Sequence, residues 1–149
     1  MAVVGSPFTG RVVPLEEVAD EVFADRVMGD GVAVHPTDGA VHAPADGVVA
    51  KLFRGGHAFV VQTAEGIEIL THIGLDTVEL QGEGFATHVD EDAVVAAGDL
   101  VVTVDLARVA DHGVDLTSPV VVISGHRVAP LAQGEVEARA PLLEVISGE

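Results

Sequence analysis

The chain contains no cysteine. That absence removes disulfides and thiolate metal sites, and it leaves any thiol chemistry to a partner. Cations are scarce as well: seven lysines and arginines stand against 24 aspartates and glutamates, and Lys51 is the one lysine. The formal net charge is −17, and protonating all seven histidines would still leave −10. Binding a phosphate backbone needs clustered cations, so nucleic acid is not an expected partner. A basic protein would instead be drawn to this surface at long range. Long apolar runs are missing too. Stretches such as "VVVI" at 120–123 fall far short of a membrane span, and "MAVVGSPFTGR" lacks a basic region followed by a sustained apolar stretch. The expectation is a cytoplasmic protein with no direct membrane insertion.

What is present fits a single domain over residues 1–149, since 149 residues at 48% hydrophobic content can bury their own core. Short valine-rich runs are separated by turn signals at close intervals: "TDG", "ADG", "RGG", "AEG", "GEG", "AAGD", "SGH", "AQGE". That rhythm predicts an all-β sandwich or barrel. Two stretches depart from it. "PLEEVADEVFADRVMGDG" spaces Leu15, Val18, Val22, Phe23 and Val27 as in a helix and ends at glycines, which predicts one or two short helices. "DLARVADHG" offers Asp105 as a start cap and Gly113 as a stop. Both are expected to be lids on the sandwich.

"HAFVVQT" and "GIEILTHI" alternate as two strands around the turn signal "AEG", with His57 and His72 at their outer ends. Directly opposed residues of an antiparallel hairpin share a face, and their numbers add to a constant. An even loop makes that constant odd, as the sum of 57 and 72 is. The two histidines are then expected on one face, with Phe59 and Val61 beside the first and Glu68 and Leu70 beside the second. An odd loop or a bulge would separate them.

Three chemistries use such a pair. A metal site needs a third protein ligand, and the His-x-His of zinc peptidases is absent, because Leu70 and Gly74 flank His72 at two positions. Acid–base catalysis lacks an accompanying serine elbow or nucleotide loop: "GEGFAT" breaks the dinucleotide pattern at Thr87. Covalent catalysis would place a phosphoryl group on one ring nitrogen while the other imidazole donates to its oxygens. The remaining histidines, His35, His42, His88, His112 and His126, carry no supporting motif and are expected to be surface residues.

"PADGVVAKLF", "HAF", "GIEILTHIGLDTVELQGEGF", "AAGDLVVTVD" and "EVADEVFADRVMGDGVAV" together resemble the glucose-type IIA component of the bacterial phosphoenolpyruvate-dependent sugar phosphotransferase system. The phrase at residues 72–85, H-x-G-x-D-T-V-x-L-x-G-E-G-F, is the most specific part. The resemblance implies a compact antiparallel β-sandwich, a barrel-sandwich hybrid with a few short helices. It implies a phosphotransferase in which His72 takes a phosphoryl group from the phosphohistidine of HPr and passes it to a cysteine on the IIB domain of a sugar permease. His57 would hydrogen-bond that group. By the same resemblance the docking face includes Val22, Phe23, Phe53, Leu70 and Val78, with Asp20 and Asp76 available to an arginine of HPr. No cofactor is required, though zinc could be bridged by His57 and His72 with a partner carboxylate. The alternative is a regulatory protein of the same fold that signals sugar status to other protein partners with little or no phosphotransfer. Two departures stand out: Gly55 where a threonine is frequent, and Asp92 where a turn glycine is common.

Overall fold

The computed structural model describes residues 2–147. Its largest unit is an eight-stranded antiparallel sheet in the order Glu135–Val136, Gly10–Pro14, Asp30–Pro36, Ser118–Val122, Glu68–His72, Ala58–Gln62, Gly47–Leu52, Val94–Val95. Two three-stranded sheets accompany it: Ala2–Gly5, Pro141–Ser147 and Arg127–Pro130 form one, and Ala40–His42, Leu100–Val104 and Phe85–Thr87 the other. The all-β sandwich expected from the turn rhythm is the architecture found.

Every residue of Ser118–Val122 is buried, so this central strand, SPVVV, shows a continuous run of valines at 120–122 rather than an alternation. Its side chains still part by face. Val120 and Val122 join Phe59, Val61 and Ile69 in the main core with Leu142 and Leu143. Val121 joins Ala58, Val60 and Leu70 in a second cluster with Leu15, Val18 and Phe23.

That second cluster is closed by the stretch predicted as a lid. It forms a 3₁₀ turn, Leu15–Glu17, and a single helical turn, Glu21–Ala24, whose start is capped by Asp20 accepting from the Val22 N–H at 3.0 Å. Leu15, Val18 and Phe23 are buried, and each contributes about 1.5–3 kcal/mol of apolar burial. Val22 and Val27 face outward at 44% and 71% exposure, so the expected stripe serves two sides instead of one. The second lid is the helix Leu106–Ala110, with Asp105 accepting from the Arg108 N–H at 3.1 Å and Gly113 at φ 80 beyond its end. Asp92 has φ 73, the left-handed region that a turn glycine would take and that a short polar side chain tolerates.

The central hairpin departs from expectation in one respect. Ala58 pairs with His72, Phe59 with Thr71 and Val60 with Leu70, so the paired numbers add to an even total. The loop 63–67 is odd, because the Thr63 N–H reaches the Ile67 carbonyl (2.9 Å) and the Gly66 N–H the Thr63 carbonyl (3.0 Å). Alternation alone would therefore set His57 and His72 on opposite faces.

Candidate active site

They meet nonetheless, by another route. His72 ends its strand, whereas His57 lies one residue outside Ala58–Gln62. Before it, Gly55 and Gly56 have φ 92 and 90 and turn the chain sharply, with the Gly56 N–H on the Phe53 carbonyl at 2.9 Å. The His57 carbonyl stays on the hairpin, accepting from the Ile73 N–H at 2.8 Å. Its ring is thereby free of the strand's alternation and comes to 5.4 Å from the His72 ring, centroid to centroid, at 74°.

Gly55 explains the missing threonine. A Cβ there would stand 2.9 Å from the Gly82 nitrogen and 3.0 Å from its Cα, on a backbone that side chains rarely adopt. The turn that swings His57 toward His72 is thus built on close contact with the loop following 77–80.

Each imidazole is braced by a phenylalanine. Phe53 lies 5.6 Å from His57 and Phe23 5.3 Å from His72, completing a row of four rings. Such contacts are worth about 0.5–1.5 kcal/mol each beyond area burial. His57 is only 5% exposed, and His72 is half-buried.

The His72 tautomer follows from one contact: Nδ1 is 2.6 Å from the Gly74 carbonyl oxygen. A carbonyl can only accept, so Nδ1 carries the proton and Nε2 keeps a free lone pair. Gly74 is fixed in turn. Its N–H donates to Ser118 Oγ (3.0 Å), which donates to the Leu116 carbonyl (2.7 Å), while Thr77 Oγ1 donates to the Ile73 carbonyl (2.6 Å). Ser118 and Thr77 are fully buried. Ser118 is a positioning residue without a local sequence signal, being 44 residues from its partner.

Burial lowers the affinity of both imidazoles for a second proton. For His72 the Gly74 carbonyl, Asp20 and Asp76 pull the other way without overcoming it. For His57 burial is reinforced by the neighbouring His72 and opposed by the Arg54 backbone carbonyl. Both therefore sit below the ordinary 6.5 and are neutral at pH 7.

The residues expected around the pair divide into rim and floor. Val22 and Val78 are exposed at 44% and 58%, with Phe53 half-buried against His57. Asp20 and Asp76 both act on the charge of His72. Phe23 and Leu70 are 6% and 2% exposed and pack in the cluster beneath the site. Val27, expected in the helical stripe, and Met28, which the spacing assigned to no role, are exposed beside Val22, whose carbonyl receives the Val27 N–H. Among the described residues no three His, Cys, Asp or Glu side chains could jointly hold a metal, so an ion on the pair would need ligands from a partner. Four of the other histidines are engaged elsewhere, His42 with Gly98, His88 with Thr103, His112 with Glu83 and His126 with Ser124.

Comparison with known proteins places the chain in a family. The family described as "phosphoenolpyruvate-dependent sugar phosphotransferase system, EIIA 1" matches residues 2–128. The β-glucoside-specific EIIBCA component of the phosphotransferase system of Dickeya chrysanthemi is 44% identical over 144 residues, covering 95% of this chain and 23% of that protein. The chain therefore spans about a quarter of the length of that curated relative. The solved structure of glucose permease IIA from Mycoplasma capricolum superposes with a TM-score of 0.91 at 42% identity, covering 95% of this chain and 94% of that one. Sequence, fold and an imidazole pair at one site converge: the chain belongs to the EIIA 1 family and is a phosphotransferase component of the phosphoenolpyruvate-dependent sugar phosphotransferase system.

Proposed function

We propose that His72 is the phosphoryl carrier, loaded by the phosphohistidine of HPr and discharged to a cysteine thiolate of a IIB domain. The observation that carries this reading is the short Nδ1 contact to the Gly74 carbonyl beside a second imidazole. With the proton held at Nδ1, the Nε2 lone pair attacks phosphorus as the donor's N–P bond breaks. The phosphorylated ring then bears both a phosphoryl group and a proton, which makes it an imidazolium. When thiolate attacks, the P–Nε2 bond breaks and neutral imidazole leaves with its proton still on Nδ1, donated to the Gly74 carbonyl. No proton has to be moved at the reacting nitrogen in either direction.

His57, whose neutral ring carries a single N–H, turns that donor from the Arg54 carbonyl to the phosphoryl oxygens. Val22, Val78 and the edge of Phe53 form the apolar rim for docking, and Asp20 and Asp76 offer carboxylates to a cation of the donor. The work is done at the cytoplasmic face of a membrane permease, which selects the sugar.

The test is phosphoryl transfer from phosphoenolpyruvate through enzyme I and HPr, read by intact mass. Wild type gains one acid-labile phosphate, His72→Ala gains none, and His57→Gln accepts one but passes it to IIB at least tenfold more slowly. An unmodified wild type in the presence of phospho-HPr would rule the carrier role out.

A further inference from the structure

Where this chain spends its few cations is informative. Arg26 is paired with Glu16 and Asp30, and Arg108 with Glu83. Arg54 forms no ion pair among the described residues, in a sequence with 24 carboxylates to choose from. It stands in the turn that carries His57 toward His72. Arg54 lines a hollow of about 520 Å³ with Val78 and Gln81. That hollow lies between the two loops that serve the histidines, the one before His57 and the one after His72, which touch where Gly55 meets Gly82. On the same side, Lys51 Nζ lies 5.7 Å from the centre of the Phe53 ring. The site is therefore polarised, with basic groups on the His57 side and Asp20 and Asp76 on the His72 side.

An incoming phosphoryl group brings about −1.5 to −2 charge. The phosphorylated His72 ring carries one positive charge, neutral His57 offers a hydrogen bond without charge, and Gly55 has no side chain to donate, so the phosphoryl group is left under-compensated. We propose that Arg54 is a phosphoryl-holding residue, its guanidinium donating N–H groups to the oxygens on phosphorylated His72 from the His57 side. This rests on His72 being the carrier. Arg54 makes and breaks no bond. A planar guanidinium suits paired oxygens better than an ammonium does, and an exposed arginine can reach in once charge arrives and relax back when it leaves.

The experiment compares wild type, Arg54→Gln, Arg54→Lys and Arg11→Gln, an exposed arginine on the strand Gly10–Pro14. The equilibrium of phosphate between each protein and HPr is measured together with the phosphohistidine ³¹P resonance, in the absence of IIB. Arg54→Gln is expected to shift the equilibrium toward phospho-HPr by about tenfold, the scale of one charge-assisted hydrogen bond, and to move the resonance. Arg54→Lys should recover part of the loss, and Arg11→Gln should change neither reading. An equilibrium and a resonance untouched by Arg54→Gln would overturn the proposal. So would an effect confined to the rate of phosphorylation by HPr with the equilibrium unchanged, which would make Arg54 a docking residue. His72→Ala runs alongside: if wild type takes up no more phosphate than this variant, the failure lies with the carrier reading, and the proposal falls with it.

Discussion

At the scale of single residues, the neutrality of the two imidazoles has measurable consequences. Because burial holds both below 6.5, the attacking Nε2 stays free at pH values where an ordinary histidine would be half protonated. The acid limb of the rate of phosphorylation by HPr is expected below pH 6.5 once the donor's own titration is subtracted; a limb above 6.5 would contradict it. The same shift bears on stability. Between 6.5 and the lower folded-state values the unfolded chain binds protons that the folded chain does not, so stability is complete above pH 6.5 and falls as pH drops through that window. Urea midpoints at pH 7 and pH 5 should fall less in a His57→Gln, His72→Gln double variant than in wild type. Gly55 permits a second test. Gly55→Thr places a branched side chain at φ 92 against Gly82 and is expected to cost more than about 1 kcal/mol, with loss of phosphoryl transfer rather than gain. A variant as stable and active as wild type would show that the turn can relax.

At the scale of elements, the central hairpin shows what was legible and what was not. Valine runs and glycine turns made the strands readable, and the end caps Asp105 and Gly113 made the second helix readable, because those signals act within a few residues of themselves. Loop parity is different. "AEG" marks where a turn falls, but Thr63 and Ile67 join the loop through a backbone bond that no residue type dictates. The expected meeting of His57 and His72 was therefore right and its reason wrong: consecutive left-handed glycines supply what register does not. The exposed part of the lid was hidden for a related cause, since a helix of one turn is too short for periodicity to fix its inner face. The strand Glu68–His72 also carries a polar anomaly. Thr71 is fully buried between Phe59 and Val120 as its cross-strand partners, and its Oγ1 has no hydrogen-bond partner among the described residues. Thr71→Val is expected to raise stability by about 1 kcal/mol while leaving phosphoryl transfer intact. A lower urea midpoint would show that the hydroxyl is satisfied in solution.

At the scale of the whole molecule, the net charge of −17 should govern encounter more than chemistry. The second-order rate of phosphorylation by a basic donor is expected to fall severalfold between 50 mM and 500 mM salt, as screening shortens the reach of that charge, while the saturated rate stays constant. Equal sensitivity of both would place the charge effect inside the site. The ends of the chain have a different consequence. Ala2 lies directly across from Val145 on adjacent strands, so the first and last described segments are held one strand spacing apart, about 4.8 Å. A tether attached at either end would leave the domain from nearly the same place. With one linker length, either attachment would offer the histidine pair to a covalently joined partner at nearly the same effective concentration. Fusion order is then geometrically neutral for this domain.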